Sequence, residues 1–242
     1  MYIFEFIPSF LLVVLLILLV RRRVYAELPY FFSYISFAVC ADIARFLTHA
    51  NTSAYYGTYW FTAAGYDVLG VLVLNEILRT VLRPLIRVWK TRLIFIALLG
   101  IGIALSFARS QAAPVQFTRR LAFFIVVGEV AVRFVQVLIF AGLATLVPLL
   151  GLRWRQYPFG VAAGFGLYAT VALLITTKLS DFGTRFIFLW GVTSLVAYSV
   201  AVLIWIWFFS VPQKTETPAS TLSAPSPGEL LKEYKDALRR MR

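Results

Sequence analysis

Six ionisable side chains, Asp42, Arg45, Asp67, Glu76, Glu129 and Arg133, fall inside long apolar runs of the sequence. Placing such a group in hydrocarbon costs about 2.5–3.5 kcal/mol on insertion scales, so each is expected to turn toward a protein interior or a water-filled space. The spacing pairs Asp42 with Arg45 at i+3 and Glu129 with Arg133 at i+4, one helical turn apart in each case. Asp67 has no oppositely charged neighbour on its own run and needs Arg45 or Arg133 from another. Glu76 lies apart from these five, within reach of Arg79 at i+3. The three acids and two bases of the main cluster leave a formal charge of −1, which calls for a protonated carboxyl, a bound cation or extra donors. Tyr34, Tyr66, Asn75 and Gln136 are placed to supply hydrogen bonds. Two outcomes stay open: a network that fixes helix order, or a polar site for a solute, an ion or a proton relay.

Other chemistries find little support. The single histidine, His49, excludes bis-histidine haem ligation and multi-histidine zinc sites. No serine sits in a G-x-S-x-G context, and Gly164-Phe165-Gly166 lacks the strand and helix that make a phosphate-binding loop. A retinal Schiff base needs a lysine deep in the last apolar run, which has none. The sequence therefore predicts no catalytic residue, no metal site and no enzyme activity, and it identifies no cofactor. Cys40, alone of its kind, cannot form an internal disulfide and is expected to be a buried, inert thiol.

The elements that must position these side chains follow from composition. Of 242 residues, 61% are apolar and 14% charged, whereas a soluble domain is about 45–50% apolar and about 25% charged. Seven apolar runs, at roughly 4–20, 30–49, 58–82, 92–108, 120–149, 157–177 and 185–210, approach the ~20 residues that a spanning helix needs. Short connections make neighbours antiparallel, so the expected fold is all-α: an up-down bundle of seven transmembrane helices. No removable signal peptide is apparent, and the first run is expected to be retained as a span. Tyr55, Tyr56, Tyr59 and Trp60 cluster where the third run begins, as expected of an interfacial aromatic belt.

The formal charge of +12 has a sidedness. Arg21–Arg23, the basic residues between Arg79 and Arg92, Arg153, Arg155 and the basic residues of the tail all fall on one side of the expected bundle. Arg109, Arg119, Arg120, Lys178 and Arg185 fall on the other. The positive-inside rule then places the N-terminus outside and the C-terminus in the cytoplasm. With that orientation, Asp42, Arg45, Asp67, Glu129 and Arg133 share the middle-to-outer half of the membrane. The charge is accounted for without a nucleic-acid partner.

Residues 1–210 are read as the transmembrane domain and 211–228, rich in Pro, Ser and Thr, as a flexible linker. Residues 229–242 read as a cytoplasmic amphipathic basic helix, free in solvent or resting on anionic lipid or a partner. The expected partners are the lipid bilayer, with other membrane subunits or a cytoplasmic protein at the C-terminal helix as further candidates. The expected location is the bacterial inner membrane. Three functions fit: first a small carrier or ligand-binding bundle with a polar site in the outer half, then a non-catalytic accessory subunit of a larger complex, and third a sensor signalling through a separate cytoplasmic partner.

Overall fold

Backbone amides in lipid must be satisfied within the protein, by helices or a closed barrel, and continuous apolar runs of about 20 residues suit helices. The computed structural model is all-helical, and it describes residues 2–82, 93, 96, 97, 100–104, 120–149, 156–182 and 187–211. The helices are α1 (Tyr2–Arg21), α2 (Pro29–Thr48), α3 (Thr52–Leu82), α4 (Arg120–Leu149), α5 (Gln156–Phe182) and α6 (Ile187–Ser210). Residues 93, 96, 97 and 100–104 are also helical. Five helices, α2 to α6, are long and apolar enough to cross a membrane, and the apolar part of α1, Phe6–Arg21, is shorter. α3 starts at Thr52, six residues before the apolar run, because the amide oxygen of Asn51 accepts from the backbone N–H of Ser53 and Ala54, both at 3.1 Å. At 31 residues it is about 46 Å long, more than a bilayer core, which tilt or protrusion accommodates.

Residues Met1–Val211 form one compact unit. Within it the helices close a ring, α1 against α2, α2 against α3, α3 against α4, α4 against α5, α5 against α6 and α6 back against α1. Gly102 packs against α4, where an added Cβ would lie 3.0 Å from the carbonyl oxygen of Ala131. Between lipid-exposed helices the hydrophobic effect supplies little, and close packing of small residues carries association. Gly160 and Gly164, one turn apart on α5, let the rings of Phe208 and Trp205 on α6 lie directly against the helix backbone.

The ring's two halves differ in content. At the end where α2 starts and α3 finishes, Phe31, Phe165, Trp205, Phe209 and Tyr157 form a solid aromatic plug. Phe31 stacks on Phe209 at 5.6 Å, Trp205 meets Phe31 at 5.3 Å and Phe165 at 5.0 Å, and Tyr157 meets Phe209 at 4.7 Å. Leu12, Leu15, Leu19, Ile35, Val73 and Ile77 complete this core. The turn after α1 is tight: Arg23 adopts φ 55°, and Arg22 donates to the carbonyl of Ser210 at 2.8 Å, satisfying an unpaired acceptor at the end of α6.

Glu76 belongs to this closed end and corrects the expected approach to Arg79. Its carboxylate accepts from the backbone N–H of Tyr30 at 3.1 Å and Phe31 at 3.0 Å, so α3 caps the first turn of α2. Pro29 opens that turn, and the positive end of the helix favours the carboxylate. Arg79 points outward and is exposed. Cys40 is likewise corrected: it is exposed on the outer surface of the ring rather than buried. The tail and the loops between the later apolar runs, including the expected linker 211–228 and helix 229–242, lie outside the described residues apart from Val211.

Candidate functional site

The other half of the ring, where α2 ends and α3 and α6 begin, holds a cavity of about 470 Å³. Every ring helix contributes to its wall: Ser9 from α1, Asp42 and Arg45 from α2, Asp67 from α3, Glu129 and Arg133 from α4, Tyr168 from α5 and Tyr198 from α6. Helical spacing explains how each helix presents a polar stripe. Glu129, Val132, Arg133 and Gln136 fall at i, i+3, i+4 and i+7, as do Gly191, Ser194, Leu195 and Tyr198. Tyr59, Ala63, Tyr66 and Asp67 follow the same face of α3. All five residues of the expected cluster line this space, together with Tyr66 and Gln136. Asn75 is half-buried and Glu76 caps α2; neither reaches the cavity wall.

Of the two pairs the spacing predicts, one forms and one does not. Glu129 and Arg133 form the expected i,i+4 ion pair on α4. Asp42 does not pair with Arg45; it accepts a 2.6 Å hydrogen bond from the hydroxyl of Ser9 on α1. Arg45 reaches across to α3 and donates twice to the hydroxyl oxygen of Thr62, at 2.9 and 2.6 Å. Thr62, only 4% exposed, donates its own hydroxyl hydrogen bond to the carbonyls of Thr58 and Tyr59. The Arg45 guanidinium also lies over Tyr59 at 5.2 Å and Tyr66 at 5.7 Å, and Arg133 lies 5.7 Å over Tyr168. Aromatic faces stabilise such cations by about 0.5–1 kcal/mol at exposed sites and more where water is excluded.

Asp67 departs from expectation in having neither arginine as a direct partner. Among the described residues it makes no hydrogen bond or ion pair, and the backbone of Gly128 lies close to its Oδ2. Gln136 is 7% exposed, lines the cavity and likewise makes no hydrogen bond to a described residue. The tyrosines form edge contacts, Tyr34 with Tyr66 at 5.6 Å and Tyr168 with Tyr198 at 5.5 Å. Tyr168, Tyr198, Ser9, Thr62 and Ser194 were not singled out by their sequence context, although the Gly191–Tyr198 stripe carried the signal. His49 is exposed at the end of α2 and does not line the cavity.

Chemically, the wall offers anionic oxygen, phenol hydroxyls, an amide and two guanidiniums, a set suited to binding a polar solute. Among the described residues no three His, Cys, Asp or Glu side chains converge as metal ligands. No protein-family model, no curated protein and no solved structure matches this chain.

Proposed function

We propose that the chain is a small membrane carrier that binds a polar solute in the cavity and performs no covalent chemistry on it. The observation that carries this reading is one cavity lined by all six ring helices, in which five of the six ionisable residues of the apolar runs, all but Glu76, are gathered. Its 470 Å³ falls within the range of about 300–1,000 Å³ usual for small-molecule sites. A network serving only helix order would gain most from full mutual pairing, since unpaired buried charge is costly. Here Asp67 and Gln136 face the space unpaired instead. The aromatic plug closes the bundle on one side of the cavity, the asymmetry expected of a carrier in one of its two access states.

The positive-inside bias supports an outer-facing cavity with the three arginine-bearing connections and the tail in the cytoplasm. The accessory-subunit and sensor readings draw on loops and a tail that lie outside the described residues. Reconstitution into proteoliposomes with a mixture of labelled cationic, anionic, zwitterionic and neutral solutes tests the carrier. Protein-dependent flux of one class, lost in Asp67→Asn while insertion is retained, is the expected result. Absence of protein-dependent flux for every class would overturn it.

A further inference from the structure

The charges of the cavity do not cancel, and the manner in which they fail to cancel specifies a ligand. Glu129 and Arg133 neutralise each other on α4. Arg45 directs its donors to the neutral hydroxyl of Thr62 and its face to Tyr59 and Tyr66. Asp42 receives only a hydroxyl, and Asp67 receives no hydrogen bond or ion pair from the described residues, Arg133 acting on it only at longer range. Among the described residues two carboxylates thus lack an ion-pair partner and one guanidinium lacks a carboxylate, so with all five groups ionised the described wall carries one negative charge in excess. An anionic ligand would add to that excess in a poorly solvating setting, whereas a cation offsets it while both carboxylates stay ionised.

The remaining chemistry narrows the cation. A small metal ion needs several converging oxygen ligands, whereas no three candidate ligand side chains come together here among the described residues. The volume is far larger than one ion requires, and besides the rings already under the arginines its wall carries Tyr34 and Tyr198, whose faces attract organic ammonium groups. Gln136, buried to all but 7% and without a hydrogen bond among the described residues, adds an unused donor–acceptor pair beside the carboxylates.

Resting on the carrier reading above, we propose that the cavity binds a monovalent organic cation, with Asp67 as the direct counter-ion and the tyrosine rings around its alkyl or aryl substituents. The ammonium takes the place of the cation that Asp67 lacks, and the net charge of the loaded cavity becomes zero. Selectivity then follows from charge first and from shape second.

The test uses the purified full chain in nanodiscs and radiolabelled benzyltrimethylammonium, with neopentylbenzene as the uncharged carbon isostere and benzylsulfonate as the anion of similar shape. Saturable binding of the cation is expected, with both competitors at least about tenfold weaker, the equivalent of about 1.4 kcal/mol. Asp67→Asn should weaken binding by about tenfold or more, and Asp67→Glu, which keeps the charge, should stay within about threefold. Elution volume and helical circular dichroism establish that each variant is folded. Equal or tighter binding of either competitor overturns the cation and leaves the solute carrier standing, as does unchanged binding in folded Asp67→Asn. Failure of all three probes to bind overturns the proposal, and the flux experiment on mixed solutes then decides the fate of the carrier separately.

Discussion

Two glycines on neighbouring helices separate the cavity from the packing that frames it. Gly191 lines the cavity, and a Cβ added there would meet nothing within 4 Å. Gly164 lies under Trp205, where a Cβ would stand 2.7 Å from Cε2 and closer still to Nε1. Gly191→Phe therefore sends a ring into open space, and replacing a helical glycine recovers about 0.5 kcal/mol of propensity, so stability should hold or rise slightly. Gly164→Ala demands that the indole retreat by about 1 Å to reach ordinary contact near 3.5 Å. Overpacking of this kind costs about 1–3 kcal/mol. The shift also strains the 3.3 Å hydrogen bond from Trp205 Nε1 to the Val161 carbonyl, adding about 1 kcal/mol. After the propensity gain of about 0.5–1 kcal/mol, Gly164→Ala should destabilise by about 1–3 kcal/mol.

The assay is thermal unfolding in detergent paired with benzyltrimethylammonium binding on both variants at a temperature where each is folded. Gly191→Phe should abolish binding at unchanged stability, and Gly164→Ala should lower stability with binding preserved in the folded fraction. Full binding by Gly191→Phe would refute the placement of the site. Undiminished stability of Gly164→Ala would refute the close α5–α6 contact.

Three further predictions follow from the same geometry. Glu76→Ala leaves two amides of α2 without an acceptor and should cost about 2–4 kcal/mol, while Arg79→Ala stays within about 0.5 kcal/mol; chemical unfolding in micelles compares them. A double-mutant cycle on Glu129→Gln and Arg133→Gln should return a coupling of about 1–2 kcal/mol, discounted from fully buried pairs because Glu129 is 40% exposed, and a coupling near zero would argue against the pair. Reporter fusions at the two termini should place the N-terminus outside and the C-terminus in the cytoplasm; both on one side would contradict an odd number of spans.

The sequence made some of this geometry legible and hid the rest for definite reasons. The i, i+4 spacing of Glu129 and Arg133 was sufficient because their contact lies within one helix turn. The same logic failed for Asp42 and Arg45, since a long guanidinium stem reaches a neighbouring helix as easily as its own, and helix order decides which. Glu76 could not be read as a cap because its partners, the amides of Tyr30 and Phe31, sit more than forty residues earlier. Asp67 was recognised as lacking a partner on its own helix, and the fold supplies none directly from a neighbour among the described residues. Ser9, Tyr168 and Ser194 were missed because a lone polar residue in an apolar run says nothing about which way it faces until the neighbouring helix is placed. Closure of the ring through α1 and α6 unites residues from opposite ends of the chain, which no local pattern encodes.

Thiol modification probes whether the space among the helices is open to water and negative in character. In a Cys40→Ser background, Gly191→Cys places one thiol on the cavity wall. Rates with a trimethylammonium-bearing and a sulfonate-bearing methanethiosulfonate reagent are each normalised to their rates with a free thiol in solution. Both should react in intact membranes, and the normalised rate of the cationic reagent should exceed the anionic one by about tenfold, the ratio that about 1.4 kcal/mol of electrostatic preference gives. A thiol that neither reagent modifies until the protein is denatured, or that favours the sulfonate, would contradict it.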